Sequence, residues 1–517
     1  MNELTKNIKY DLPASIVVFF VALPLCLGIA LASDAPIFSG LIAGIVGGIV
    51  VGSLSGSSVG VSGPAAGLTA VVASAIATLG SYESFLLAVF FAGILQIAFG
   101  LIKAGVIAYY FPSSVIKGML SGIGIIIILK QIPHAFGYDL DFEGDLAFSQ
   151  ADGHNTFSEL LYMLDYITIG SIIISTLSLA LLIVWGRILV KKHKIFTLIQ
   201  GPLVVVALGI VYELFTRDYY PQLMLSSEHL VTVPVANNFS SFIGQFTMPD
   251  FSQVFNTEIY IVAVTIAVVA SVETLLCVEA TDKIDPKKRI TPTNKELFAQ
   301  GVGNTVSGLI GGLPVTQVIV RSSANIQSGA NSKLSTIIHG FLLAISVITI
   351  PNILNLIPFA SLASILLVVG YKLAKPSLFQ DMYRLGWSQF IPFIITILGV
   401  VLTDLLTGIG LGLVVGIIIV LKNNYKNSHF LHMDEVDDGK HRVKMTLAEE
   451  VSFLNKGAIL HELNRIPKGT VLTIDTTESI SIDYDVQEII ENFKKTADNR
   501  DIEVIIKSDK SFETADY

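Results

Sequence analysis

Long apolar stretches follow one another from residue 12 to residue 422, separated by short polar loops. A helix needs about 20 predominantly apolar residues to cross a bilayer. Fourteen segments approach this length, although several are short or rich in glycine. They are residues 12–32, 38–53, 64–79, 85–101, 106–130, 166–188, 196–214, 258–280, 294–311, 319–330, 334–351, 357–373, 388–405 and 408–422. The pattern predicts an all-α polytopic membrane protein with about fourteen spans and the lipid bilayer as its surroundings.

Composition supports this prediction, because only 15% of the residues are charged and 52% are hydrophobic. The net charge of −9 is concentrated at the end of the chain, since 19 acidic and 11 basic residues follow from Asp434 onward. No basic patch indicates a nucleic-acid partner. The cysteines, Cys26 and Cys277, both lie in apolar segments, so neither a disulfide framework nor a metal cluster is expected.

The charges of the loops predict an orientation. The loop 131–165 contains seven acidic residues and no lysine or arginine, whereas the loops 187–194 and 281–293 are basic. Basic loops remain in the cytoplasm. With fourteen spans, both termini are then cytoplasmic, and the protein belongs in a bacterial-type inner membrane.

Spans three and ten are unusual, because each combines an extended stretch with a half-helix. Residues 57–62 are predicted to be extended and residues 64–79 helical. The β-branched run Val315–Val320 is predicted to be extended, with a helix beginning near Arg321. The two spans cross in opposite directions, so their helix N-termini meet near the midplane and form an anion site. Interrupted spans at matching places in two halves predict a seven-plus-seven inverted repeat.

Two ionisable residues within the spans need an explanation, because buried charges in a membrane are expensive. Arg321 at the start of the tenth half-helix would add a full positive charge to the anion site. Glu273, deep in the eighth span, would bind a coupling ion, H⁺ or Na⁺. The alternative is that Arg321 and Glu273 form a structural ion pair that only fastens two helices together.

The tail has a different character and predicts a small α/β domain. Strands are expected at residues 442–448, 451–454, 470–476 and 502–508, and helices at residues 455–466 and 485–497. Thr476 and Thr477 lie at the end of the third of these strands, but threonine is common in such places. We therefore assign no phosphorylation site.

Several motifs resemble the SulP family, the sulfate permease-like anion transporters. They are LPLCLGIALA, VSGPAAG, VETLLCVEATD, NKELFAQGVGNTVSGLIGGLPVT and RSSAN. The resemblance implies a transmembrane domain over residues 1–426 and a cytoplasmic STAS domain over residues 434–517, where a cytoplasmic regulator would bind. It also implies a core domain (spans one to four and eight to eleven), a gate domain (the others), an elevator-like motion and a homodimer.

The resemblance further implies which residues hold the substrate and the coupling ion. The substrate-binding residues would be Leu25, Ile29, Ala65, Ala66, Gly67, Val320, Arg321 and Ser322, and the coupling-ion residues Glu273 and Cys277. Many family members have a polar residue at the position of Leu25. Na⁺-coupled members have Asp and Thr at the positions of Glu273 and Cys277, and a thiol is a poor ligand for Na⁺.

These observations favour a secondary active transporter of an inorganic anion, with no resident cofactor and no enzymatic activity. The alternative is an anion channel, or an anion sensor that signals through the STAS domain. The small and apolar residues predicted at the site favour bicarbonate over sulfate. Bicarbonate and sulfate both remain candidates, as do H⁺ and Na⁺.

Overall fold

The computed structural model describes residues 2–140, 148, 155–192, 196, 200–233, 235, 243–426, 428–434 and 441–508. Some of the acidic residues predicted to face outward (Asp141, Glu143, Asp145 and Asp152) lie outside the described residues, as does the segment 509–517. The chain divides into two compact units, Met1–Leu413 and Val414–Tyr517.

The first unit is helical, as expected for apolar segments that must satisfy their backbone hydrogen bonds internally. Its helices, with α17 continuing beyond Leu413, are α1 (Asn2–Ala32), α2 (Ile37–Val46), α3 (Thr69–Leu79), α4 (Tyr82–Leu101), α5 (Ser113–Phe136), α6 (Thr156–Tyr162), α7 (Ile169–Val184), α8 (Gly201–Tyr219), α9 (Thr257–Ile284), α10 (Thr293–Ile310), α11 (Ile319–Gln327), α12 (Leu334–Thr349), α13 (Pro351–Leu354), α14 (Phe359–Leu373), α15 (Pro376–Arg384), α16 (Trp387–Leu402) and α17 (Leu405–Lys426). Two short strands, β1 (Ser62–Pro64) and β2 (Val315–Gln317), interrupt this helical architecture.

Each of the fourteen predicted segments overlaps one of these helices. Within the described residues, eight helical stretches are long and apolar enough to cross a bilayer, and three shorter helices are also apolar. The protein is therefore a helical membrane protein, while the count of fourteen crossings and the inverted repeat stay predictions.

Glycines allow α4 and α10 to approach each other backbone to backbone. A Cβ atom added at Gly301 would lie 2.5 Å from the backbone nitrogen of Ile97, and one added at Gly308 would lie 2.6 Å from that of Phe90. Small residues at such contacts are typical of membrane helices. The tight packing fixes α10, which in turn holds both short strands.

A second group of helices packs around α5, which contacts both α14 and α16. Here too a glycine contact is close, because a Cβ atom at Gly124 would lie 2.7 Å from the carbonyl oxygen of Gly370. The polar end of α5 is thereby held beside the beginning of α14.

The second unit contains a four-stranded sheet of order β3-β4-β6-β8, in which β3 is antiparallel and the other strands are parallel. Its elements after α17 are β3 (His429–Asp434), β4 (His441–Leu447), β5 (Glu450–Val451), α18 (Lys456–Arg465), β6 (Thr470–Asp475), β7 (Ser481–Ile482), α19 (Tyr484–Ala497) and β8 (Glu503–Lys507). An α/β architecture was expected. The edge strand β3 was not predicted, and it begins at His429, before the predicted start of this domain at residue 434.

The prediction of a strand at residues 451–454 is wrong for most of the segment. Only Val451 is in a strand, and Phe453–Asn455 forms a 3₁₀ turn that leads into α18. The Asn455 side chain accepts a hydrogen bond from the Ser452 amide at 2.8 Å, which caps this turn. Local capping therefore outweighs the β propensity of the apolar residues.

Candidate functional site

The two extended stretches pair with each other in the interior of the first unit. Strands β1 and β2 are antiparallel, with Ser62 opposite Gln317 and Pro64 opposite Val315. Each strand leads into a helix, since a 3₁₀ turn at Ala66–Leu68 precedes α3 and α11 follows β2 directly. The predicted order of extended chain followed by half-helix is therefore observed in both segments.

The predicted starting points of the two half-helices need correction. Pro64 is the last residue of β1 and not the first residue of a helix, because the pairing with Val315 extends the strand to this position. The tenth half-helix begins at Ile319, two residues before Arg321, because the Ser322 amide already donates to the carbonyl of Val318. Arg321 thus lies within the first turn of α11, where amide groups lack helical partners.

Polar side chains of α10 hold the two strands in place. Asn304 makes a reciprocal pair of hydrogen bonds with the backbone of Val315, at 2.5 and 2.9 Å. Gln300 donates to the Ser62 hydroxyl at 2.7 Å and to the Glu296 carboxylate at 3.0 Å. Glu296 also accepts from the Ser55 hydroxyl at 2.5 Å. The NKEL motif and the glutamine and asparagine that follow it therefore form the scaffold of the site.

A cavity with a water-accessible volume of about 50 Å³ lies beside the starts of the two half-helices. One water needs about 10–15 Å³ by this measure, so the cavity holds roughly three to five waters or one small anion. The first wall comprises Leu25, Ile29, Ala66, Gly67, Glu273, Cys277, Val318, Ile319, Val320 and Arg321. The second wall comprises Ile123, Ile127, Lys130, Gln131, His134, Leu366 and Leu405.

The structure brings most of the predicted site residues together on the first wall. Ala65 and Ser322 are exceptions, since neither lines the cavity. The Ser322 hydroxyl donates to the carbonyl of Val318 at 2.7 Å and accepts from the amide of Val61 at 2.9 Å. The bond from Val61 ties the beginning of α11 to the chain before β1, and since both bonds are to backbone groups this hydroxyl is committed to the backbone.

Arg321 is fully buried and has no ion-pair partner among the described residues. Its guanidinium interacts with the uncharged Cys26 thiol, and its three nitrogens make no other hydrogen bond to a described residue. The guanidinium lies against Gly63 of β1, where a side chain would collide with Nη1. The Cys26 thiol and the His339 ring are also near it. A buried cation of this kind needs an anion, and the described chain provides none.

Glu273 lines the same cavity, also on the first wall, and is buried as well. One oxygen accepts a hydrogen bond from the amide of Gly67, while Oε2 has no partner among the described residues. Cys277 follows one turn later on α9, and its sulfur accepts from the amide of Ile319. The alternative of a structural Arg321–Glu273 pair is therefore not seen in the described chain.

The sequence interpretation missed the second wall entirely. Lys130, Gln131 and His134 lie on one face of α5 at helical spacing, and all three are buried. The predicted segment ended at Lys130 and assigned Gln131 and His134 to the following loop, whereas α5 continues to Phe136. Nothing in the sequence shows that these residues and those of α9 and α11 line one cavity. Within the described residues, no group of three or more His, Cys, Asp or Glu side chains could hold a metal ion.

Comparisons with known proteins agree with this architecture. The chain is 26% identical to YvdB of Bacillus subtilis (strain 168), whose name designates it a candidate sulfate transporter, over 81% of this chain and 74% of that protein. It is also 26% identical to the bicarbonate transporter BicA of Picosynechococcus sp., over 87% of this chain and 76% of that protein.

Solved structures show the same fold. The transmembrane domain of a cyanobacterial BicA matches with a TM-score of 0.54 at 24% identity, covering 78% of this chain and 97% of that one. The structure of SLC26A9 matches with a TM-score of 0.67 at 15% identity, covering 97% of this chain and 84% of that one. The profile of the sulfate permease family matches residues 8–396. The chain therefore belongs to the sulfate permease family, whose members are anion transporters and not enzymes.

Proposed function

We propose that this protein is a secondary active transporter that carries a small oxyanion, with bicarbonate favoured, in symport with H⁺. The observation that carries the proposal is the fully buried guanidinium of Arg321, which has no carboxylate partner among the described residues and lies beside a cavity of anion size. The anion would lie between the first turns of α3 and α11, where the amide groups and helix dipoles add partial positive charge.

The lining of the cavity supports bicarbonate over sulfate. Leu25, Ile29, Ala66 and Val320 offer no side-chain donors to the anion. A sulfate dianion would leave one negative charge uncompensated by the single guanidinium, and burying such a charge is costly. Bicarbonate carries one negative charge, which Arg321 balances.

The surroundings of Glu273 support H⁺ over Na⁺ as the coupling ion. Na⁺ is held by several hard oxygen ligands. On the first wall the neighbours of this carboxylate are the Gly67 amide, which is a donor, and the Cys277 thiol. A buried carboxylate that makes no ion pair is instead neutralised by a proton, and its Oε2 atom has no hydrogen-bond partner among the described residues.

The mechanism of movement and the assembly follow from the resemblance. The first wall would belong to the core domain and the second wall to the gate domain. The core domain would move against the gate domain in an elevator-like motion. The protein would be a homodimer in a bacterial inner membrane, with both termini in the cytoplasm. The C-terminal α/β unit would be a STAS domain that binds a regulator.

The test is uptake by purified protein in liposomes, with labelled bicarbonate and labelled sulfate compared under imposed H⁺ or Na⁺ gradients. We expect an inward H⁺ gradient to drive bicarbonate uptake and a Na⁺ gradient to have no effect. Replacement of Glu273 by Gln should abolish the response to the H⁺ gradient but leave anion exchange. Uptake that follows the Na⁺ gradient alone would refute H⁺ coupling, and uptake of neither anion would refute the proposed substrate class.

A further inference from the structure

A separate cavity, the side cavity, lies inside the first unit, and none of the predicted site residues lines it. Its water-accessible volume is about 220 Å³, against about 50 Å³ for the cavity beside Arg321. The two cavities follow each other along α11, where Arg321 lines the first and Ala324 and Gln327 line the side cavity. They also share α14, through Leu366 in the first and Val369 in the side cavity. A ligand in the side cavity would therefore contact both helices.

Most of the wall of the side cavity is apolar. It includes Val17 of α1, Leu182 of α7 and Ile365 of α14, and all three side chains are buried. These side chains offer no hydrogen bonds to an inorganic anion, and burying an anion without such bonds is costly. Contact with a hydrocarbon chain is favourable instead. The wall therefore favours a ligand with a long apolar part.

The polar groups of the side cavity favour a ligand whose other end is negatively charged. Lys372, in the last turn of α14, is exposed and forms no ion pair within the described part of the chain. Gln327 and Ser328, at the end of α11, also line the cavity, and none of the described lining residues is acidic. An ammonium group without an acidic neighbour attracts an anionic group.

The charged and the apolar parts of the side cavity are separated along α14. Ile365 and Lys372 lie seven positions apart in the sequence, which is about 10 Å along a helix. Ile365 is buried and Lys372 is exposed, so the cavity extends from the surface into the helix bundle. A ligand that fits both ends is an amphiphile with an anionic head and an apolar tail.

The surroundings of the side cavity place it where lipid head groups are expected. Trp185 lines the cavity and begins a π-helical segment, Trp185–Leu189, that follows α7. Tryptophan is enriched at the boundary between lipid and water. The basic loop 187–194, which is predicted to be cytoplasmic, overlaps this segment. Basic pockets between membrane helices on the cytoplasmic side bind anionic lipid head groups.

We propose that the side cavity binds an anionic phospholipid of the cytoplasmic leaflet. One acyl chain lies against the apolar wall that Leu182 and Ile365 help to form, and the phosphate lies beside Lys372. The bilayer around the protein supplies this ligand directly. The proposal goes beyond anion transport, and it does not depend on which anion the protein carries.

The experiment uses phosphatidylglycerol with a photoactivatable group in one acyl chain, added to phosphatidylcholine liposomes that contain the purified full-length protein. After illumination, mass spectrometry of peptides locates the label. We expect label on α14 between Ile365 and Val369 and on α11 near Ala324, and excess unlabelled phosphatidylglycerol should displace it. A probe with a phosphatidylcholine head should label these sites about fivefold less, the effect of one lysine near an anionic lipid surface.

Two variants test the two parts of the ligand, and a third is the control. Lys372→Gln should remove the preference for the phosphatidylglycerol probe over the phosphatidylcholine probe. Lys375→Gln removes an exposed lysine of the same region that does not line the cavity, and it should keep the preference. Val368→Trp should fill the cavity and reduce labelling by both probes.

Four results would overturn the proposal. They are no label on α11 and α14, equal labelling by the two probes, a preference that survives Lys372→Gln, and a preference that Lys375→Gln removes as well. Displacement of the label by bicarbonate or sulfate would also overturn it and would make the side cavity part of the path of the anion.

The readout is independent of transport, so it separates this inference from the proposed function. Failure of the protein to carry either anion would leave the lipid result unchanged. Should Val368→Trp not fold, Lys372→Gln remains decisive, because it replaces an exposed side chain and tests the head-group preference by itself.

Discussion

Replacement of Arg321 by Met separates the two roles that this residue could have. Methionine keeps much of the length of the buried side chain but removes the charge, so packing changes little. Among the described residues the guanidinium has no carboxylate partner, and Glu273 in particular makes no ion pair with it. The substitution therefore removes an anion ligand and leaves no carboxylate newly unpaired.

The expected effects on affinity and on stability have different signs. A hydrogen bond to a charged group contributes about 1.5–3 kcal/mol, so the anion dissociation constant should rise about 10- to 100-fold. Stability without anion should stay the same or increase, because a desolvated and unpaired charge is lost. If Arg321 formed a buried ion pair, its removal would instead destabilise the protein by about 3–5 kcal/mol.

The assay combines equilibrium anion binding with thermal unfolding of the purified protein in detergent, without anion. Arg384→Met, at an exposed position of α15, is the matched control and should change neither quantity. Arg321→Lys should recover only part of the affinity, because an ammonium group lacks the planar fork. Full affinity in folded Arg321→Met, or marked destabilisation that Glu273→Gln reverses, would show that the reasoning is wrong.

Three further predictions concern coupling, orientation and the second unit. Gly67→Ala should leave the fold intact but impair H⁺-driven uptake relative to anion exchange, because the new Cβ would lie 2.9 Å from Oε1 of Glu273 and displace the carboxylate. Unchanged coupling would count against the role of that contact. A cysteine introduced at exposed Ser227 should react with an impermeant thiol reagent in intact cells, whereas one at exposed Lys287 should react only after permeabilisation; the two buried native cysteines should add little background. The reverse pattern would show that the predicted orientation in the membrane is wrong. Deletion of residues 428–517, which removes the sheet from its first strand at His429, should lower the protein yield or the transport rate but preserve anion affinity. Loss of anion binding by the folded truncated protein would contradict a site built from the first unit alone.

The sequence by itself determined the features that depend on local pattern. Runs of apolar residues can cross a bilayer only as helices, since unpaired backbone groups are too costly in lipid. Residues 57–62 and the β-branched run before Arg321 were predicted to be extended, and the strands do form there, although β1 continues to Pro64 and α11 already begins at Ile319. Ionisable residues inside apolar segments indicated a functional site, and they led to Arg321 and Glu273.

Tertiary structure decided how these pieces combine. Whether Arg321 pairs with Glu273 depends on side-chain positions set by the tight packing of α4 against α10 and by the hold of Asn304 on β2, which no local pattern encodes. The second wall was invisible for the same reason, because His134 joins the site only when the fold brings α5 to the cavity that α9 and α11 also line. Its link to His229 joins residues 95 positions apart in the sequence through the single carboxylate of Asp139. Contacts between distant segments arise from the packing of whole helices, so only the folded structure reveals them.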